Sequence, residues 1–202
     1  MKKSLLLCIF LLSVILSPGQ YHIELNVDQL PKLEADAGEG DTLCGLTANL
    51  KAMSVTQNGF WEQASGPGNS EFSPDEATPE LQVKVSEQGN YEFVWTEDNG
   101  ICTERDTVDV AFYDVPEADA GSDQSIEQGE SIKIGGDPSA TGGNGDFTYT
   151  WSPEIDLDDP NTSNPQASPT DTTDYMLVVK DTNQCSDTDT VTVNVKAPTS
   201  ID

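Results

Sequence analysis

The sequence predicts an all-β protein made of two tandem antiparallel β-sandwiches behind an N-terminal export signal. Three observations carry this: a repeat at a fixed offset, period-two hydrophobic alternation in both copies, and an apolar leader preceded by two lysines. The repeat comes first. Glu34-Ala35-Asp36-Ala37-Gly38 recurs as Glu117-Ala118-Asp119-Ala120-Gly121, an offset of 83 residues. Cys102 with Asp106-Thr107-Val108-Asp109-Val110 recurs as Cys185 with Asp189-Thr190-Val191-Thr192-Val193, and the offset is again 83. Between these ends the register drifts, with Trp61 answering to Trp151 and Tyr91 to Tyr175, so the loops differ by a few residues. The expected division is a signal peptide at 1–19, a linker at 20–30, sandwiches at 31–113 and 114–197, and a tail at 198–202.

Alternation defines the strands. In the first repeat Leu46, Ala48 and Leu50, then Leu81, Val83 and Val85, then Tyr91, Phe93 and Trp95 alternate with polar neighbours. In the second, Ile132 and Ile134, then Phe147, Tyr149 and Trp151, then Tyr175, Leu177 and Val179, then Val191, Val193 and Val195 repeat the scheme. Asn99-Gly100 and Gly142-Gly143-Asn144-Gly145 separate such runs as turns. One buried face per strand implies antiparallel sheets, and about 80 residues per copy suits two small sheets packed face to face.

The leader reads as an export signal. Lys2 and Lys3 precede an apolar run from Leu5 to Leu16, which ends in Ser17-Pro18-Gly19-Gln20. The run is short for a bilayer span and suits signal peptidase cleavage after Gly19. No second apolar segment follows, so membrane insertion after cleavage is not expected, and the mature chain is expected to be secreted, extracellular or at the cell surface.

Charge excludes one class of partner. The 202 residues hold 36 Asp plus Glu against 9 Lys plus Arg, a formal net charge of -27. Such a chain repels nucleic acid and anionic lipid headgroups. Catalytic constellations are missing as well. The only histidine, His22, falls in the expected linker, and no nucleophile elbow or phosphate loop is present. The chain reads as a non-enzyme.

Two local patterns suggest a fold family. Glu87 through Tyr91 and Asp171 through Tyr175 each place an acid four residues before a strand-opening tyrosine, the spacing of a tyrosine corner. Trp61 and Trp151 fall where an immunoglobulin-type strand C carries its core tryptophan. Phe147-Thr148-Tyr149-Thr150-Trp151-Ser152-Pro153, Asp159-Pro160-Asn161 through Asn164-Pro165, and Tyr175 to Val195 resemble a PKD-type repeat of secreted Bacteroidetes surface proteins. Gly59-Phe60-Trp61-Glu62-Gln63-Ala64-Ser65-Gly66-Pro67 is similar to a sister variety. In place of an Asp-Phe-Gly-Asp run the second repeat has Ser152-Pro153-Glu154. The resemblance implies a seven-stranded immunoglobulin-like sandwich, secretion, and work as a spacer or adhesion module.

Three expectations concern sites. In an oxidising setting Cys44 and Cys102 of the first repeat are expected to pair, a bridge worth roughly 4 kcal/mol. The counterpart of Cys44 in the second repeat is Glu127, which leaves Cys185 as an unpaired thiol. Glu154, Asp156, Asp158, Asp159 and Asn161 crowd one loop with hard oxygen donors. Asp156, Asp158 and Asp159 are therefore the candidate ligands of a weak calcium site, the single cofactor considered. The expected partner is a surface protein or a polysaccharide. A carbohydrate-binding reading would need exposed aromatics, with Phe72, Trp61 and Trp151 as candidates.

Overall fold

The computed structural model describes residues 33–56 and 58–197. The expected signal peptide, linker and tail lie outside them, as does His22. Among the described residues there is no helix, and fifteen strands divide between two compact units. The first unit takes in residues up to Thr42 and Leu46–Phe112, and the second takes in Leu43–Gly45 and everything from Tyr113.

The first unit is a sandwich of two sheets. One is ordered β1-β7-β6-β3, from β1 (Asp41–Cys44), β7 (Thr103–Tyr113), β6 (Gly89–Asp98) and β3 (Gly59–Ser65). The other is β2-β5-β4, from β2 (Thr47–Lys51), β5 (Glu80–Val85) and β4 (Ser70–Ser73). Alternation dictates the inner faces: Leu81, Val83 and Val85 of β5 and Tyr91, Phe93 and Trp95 of β6 are all buried. Phe72 of β4 meets Phe93 of β6 edge-on at 6.0 Å, which joins the two sheets across the core. Trp61 packs on Trp95 with ring centroids 5.3 Å apart.

The second unit repeats the larger sheet as β12-β14-β15-β9, from β12 (Thr148–Ser152), β14 (Thr173–Lys180), β15 (Ser186–Lys196) and β9 (Gln124–Glu127). Two short pairs complete it: β8 (Pro116–Ala118) with β11 (Ala140–Gly142), and β10 (Ile132–Lys133) with β13 (Gln166–Ala167). Its core gathers Trp151, Tyr175, Leu177, Val179, Val191 and Val193 around Ile126 and Ile134. The second unit departs from the all-antiparallel expectation, because β9 runs parallel to β15 with Val193 opposite Gln124.

Trp61 and Trp151 sit on edge strands and are fixed in the same way. The Trp61 indole donates to the Pro79 carbonyl at 3.1 Å, and the Trp151 indole donates to Thr162 at 3.0 Å. Their backbone amides donate to Glu76 and Pro160 at 2.8 Å each. Each edge strand thus spends one outward amide on the loop beside it, which removes part of a free edge. The repeated motif ends are explained too. Asp36 and Asp119 accept the amides of Gly38 and Gly121, two residues on, at 3.0 and 2.8 Å. Those glycines adopt φ of 79° and 83°, the left-handed region where a side chain is strained.

Candidate functional site

The acidic loop after Trp151 does not assemble the expected calcium site. Asp158 Oδ1 accepts the amides of Asp159 at 2.8 Å and Gln166 at 2.7 Å, and Asp159 Oδ1 accepts that of Asn161 at 2.9 Å. Asp156 holds Ser168 through its backbone carbonyl, with φ of 64°. The Asp158 and Asp159 carboxylates thus act as turn caps, each directed at amides of its own loop. Among the described residues no group of three acids, histidines or cysteines could hold a metal ion.

The cysteines correct the expected pairing. Cys44 is bonded to Cys185, with Cα atoms 5.5 Å apart, so Cys185 is not an unpaired thiol and Cys44 does not pair with Cys102. Cys102 is itself disulfide-bonded, and no cysteine among the described residues is free. The physical reason lies in the chain path. Leu43–Gly45 belongs with the second unit, where the Gly45 amide donates to the Tyr113 carbonyl at 2.8 Å. Repeat correspondence paired Cys44 within its own copy, whereas the last two residues of β1 group with the second unit. The loop closed spans 141 residues of sequence, and a loop that long raises the entropic contribution to about 5 kcal/mol.

The two candidate tryptophans offer no exposed face for sugar stacking. Trp61, Trp95 and Trp151 are at most 1% accessible. Phe72, the candidate exception, is half-buried against Phe93. The tyrosine-corner expectation holds in one unit only. Tyr91 donates its hydroxyl to the Glu87 carbonyl at 2.9 Å and accepts the Gly68 amide at 3.0 Å. Tyr175 instead reaches the Ile155 carbonyl at 3.4 Å, not Asp171. Burial, with the nearby Asp156 charge, pushes the Tyr175 phenol above its ordinary pKa.

A buried carboxylate at one end of the first unit escaped the sequence reading. Glu97 continues the inward stripe of β6 and is fully buried. It accepts the Trp95 indole at 2.9 Å, the Thr56 amide at 3.2 Å and, in a short contact, the Thr56 hydroxyl. Burial pushes its carboxyl up, but hydrogen bonds from Ser54, Thr56 and Trp95 outweigh that and hold it below the usual range. Asp181 does the same work in the second unit. It accepts the amides of Asn144, Asn183 and Cys185, all at 2.9 Å, and is likewise buried. In both units a buried acid after the β6 or β14 stripe clamps the loop leading to the tryptophan strand.

In the first unit that clamp presents apolar side chains to solvent. Val55 lies between Ser54 and Thr56, both bonded to Glu97, and is 65% exposed. Met53, 63% exposed, donates its amide to the Asp36 carbonyl at 2.9 Å. Ile101, 62% exposed, rides the β6–β7 turn. There Asn99 Oδ1 accepts the amides of Ile101 and Cys102 at 3.0 and 2.9 Å, and Asp98 Oδ1 accepts Gly100 at 2.6 Å. Asn58 bridges the two loops, its side chain donating to the Asp98 carbonyl at 3.2 Å and its own carbonyl accepting the Asp98 amide at 3.0 Å. Three aliphatic side chains therefore stand on two cross-braced loops at one end of a rigid sandwich. Asp36 is bonded through its carbonyl to Met53 and Asp98 opens the turn that carries Ile101, while Lys51 and Arg105 are engaged with Glu80 and Glu62 at 2.8 and 3.8 Å.

Strand order and core define the class: a tandem pair of immunoglobulin-like β-sandwiches. No family model matches the chain, and no curated protein is similar to it. Among solved structures it is similar to Drosophila OTK extracellular domains 3–5, with TM-score 0.43, 10% identity, and coverage of 81% of this chain and 60% of that one. It is also similar to the insect immune protein hemolin, with TM-score 0.43, 10% identity, and coverage of 83% and 46%. Sidekick-1 immunoglobulin domains 1–4 give TM-score 0.38, 14% identity, and coverage of 83% and 51%. The chain thus spans about half to three-fifths of the length of these chains.

Proposed function

We propose that this chain is a secreted, non-catalytic surface module that contacts other proteins through the loop end of its first unit. The observation that supports it is the exposed trio Met53, Val55 and Ile101 on loops braced by buried Glu97 and by Asn58. Aliphatic groups held on rigid loops lose little entropy on binding, and they suit a protein face better than a sugar. Export is supported by the leader-like sequence of residues 1–19 and by the Cys44–Cys185 bond, which belongs to an oxidising compartment. The PKD-type kinship of the repeats is part of the same reading. The fitting partner presents an apolar patch ringed by Lys and Arg, because Asp36 and Asp98 flank the trio and the chain is strongly acidic.

The test is a binding screen of the purified chain against cell-surface proteins and polysaccharides, repeated with the triple variant Met53→Ser, Val55→Thr, Ile101→Thr. The expected result is saturable protein binding that weakens with salt and is lost in the variant while the circular dichroism spectrum is kept. Saturable binding to a glycan that the variant retains would replace this reading with the carbohydrate-binding one. No binding in either arm would leave a passive spacer.

A further inference from the structure

From the β6–β7 turn we infer that Asn99 modifies itself in the folded chain, converting to aspartate and isoaspartate through attack by the Gly100 nitrogen. The sequence places glycine after asparagine three times, at Asn58-Gly59, Asn99-Gly100 and Asn144-Gly145. At such a pair the next amide nitrogen reaches the side-chain carbonyl carbon with little hindrance, because glycine has no Cβ. The fold separates the three. The Asn58 side-chain nitrogen, the group that must leave, donates to the Asp98 carbonyl at 3.2 Å, and Gly59 is buried against Trp95. The Asn144 side-chain nitrogen donates to the Thr182 hydroxyl at 3.3 Å. At Asn99 it is the other end of the amide that is held, since Oδ1 accepts the Ile101 and Cys102 amides at 3.0 and 2.9 Å.

Two N–H donors on that oxygen polarise Cγ and stabilise the oxyanion that forms there. The attacking nitrogen is prepared as well. The Gly100 amide donates to Asp98 Oδ1 at 2.6 Å, so a carboxylate stands at the proton to be removed. Asn99 and Gly100 are exposed, and no atom lies within 4 Å of where a Gly100 Cβ would stand, so water enters and ammonia leaves freely. The bond from the Gly100 nitrogen to Cγ forms as its proton passes to Asp98. Asp98 returns the proton to Nδ2, the Cγ–Nδ2 bond breaks, and ammonia departs. Water then opens the cyclic imide: addition at Cγ gives aspartate, and addition at the main-chain carbonyl gives isoaspartate. One water is consumed and one ammonia released, with no oxidant or reductant. Either product adds a negative charge to the turn that carries Ile101, and isoaspartate lengthens its backbone by one carbon. The conversion itself is independent of what Ile101 binds.

Site-resolved peptide mapping by mass spectrometry tests this, on the full chain aged at neutral pH either folded or in guanidinium chloride, against an unaged control. In the folded chain Asn99 should convert about tenfold faster than Asn58 and Asn144, and no slower than it does in the denatured chain. In denaturant the three sites should convert at similar rates, because only the dipeptide then matters. Asp98→Asn should slow conversion of folded Asn99 about tenfold, since an amide is a poor proton acceptor. Should Asp98→Asn fail to fold, the folded and denatured wild type still decide the matter. Equal rates at the three sites in the folded chain, slower conversion of Asn99 folded than denatured, or a folded Asp98→Asn without effect would overturn the inference.

Discussion

The carboxylate of Asp189 accepts the backbone amide of Ala120 at 2.8 Å, and 83 residues earlier Asp106 accepts the amide of Ala37 at 3.0 Å. The two ends of the sequence repeat are thus bonded to each other in both units, which is why those ends keep a common offset while the loops between them drift. The second unit doubles the contact, since Asp187 also accepts Ala118 at 2.9 Å. Asp106→Ala should therefore cost the first unit about 1–3 kcal/mol, the penalty of an orphaned amide. Asp189→Ala should cost the second unit less, because Asp187 still holds the strand. Chemical denaturation of the two variants, followed by tryptophan fluorescence, measures both, and equal losses would contradict the argument.

Glu97 makes the first unit acid-sensitive. Its carboxyl is held below the usual range by hydrogen bonds that exist only in the fold. The sign follows from linkage: the contribution is complete above the unfolded glutamate value of about 4.3 and is lost as pH falls through the lowered folded value. Glu97→Gln should be less stable near neutrality, since its amide NH2 would face donors, and its stability should fall less steeply between about pH 5 and pH 2. Thermal melts across that range distinguish the slopes, and parallel curves would refute the assignment.

The two core tyrosines should respond differently to loss of their hydroxyls. Tyr91→Phe removes a donor to Glu87 and an acceptor for the Gly68 amide, and should cost about 1–2 kcal/mol. Tyr175→Phe removes one long contact of 3.4 Å, and should cost less than about 0.5 kcal/mol. Paired denaturation midpoints give the comparison, and the reverse order would mean that the corner geometry contributes nothing.

What the sequence revealed and what it hid follow from the range over which each feature is encoded. The stripes Tyr91-Phe93-Trp95 and Tyr175-Leu177-Val179 were legible because inward alternation is local. The buried acids lay on the same register, at Glu97 and Asp181, two residues past each stripe. Among 36 acids they looked like ordinary solvated ends, yet the continued period of two in both copies was the available signal. The Cys44–Cys185 bond was illegible for a different reason. Repeat correspondence ties Cys44 to its own copy, whereas the chain path places Leu43–Gly45 with the second unit. Asp158 and Asp159 were legible as oxygen donors, but composition shows donor type and not direction. Both carboxylates accept amides of their own loop, and Asp156 bonds Ser168 through its backbone carbonyl.

The glycine of the repeated motif offers a last test, because its cost has two separable parts. Gly38 has φ of 79°, and a Cβ built there would stand 2.6 Å from the Lys51 carbonyl oxygen. Gly100, at the exposed β6–β7 turn, has φ of 81° with nothing within 4 Å of that position. Alanine at Gly100 therefore meets only the backbone strain of the left-handed region, about 1–2 kcal/mol. Alanine at Gly38 meets the same strain and a backbone collision that no rotamer relieves, so the segment carrying Ala37 must move off Asp106. Gly38→Ala should thus destabilise the first unit clearly more than Gly100→Ala does. It should also lose the hydrogen-exchange protection of the Ala37 amide, which Gly100→Ala should retain. Equal destabilisation, with Ala37 still protected, would show that the close approach at Lys51 is not what requires glycine there.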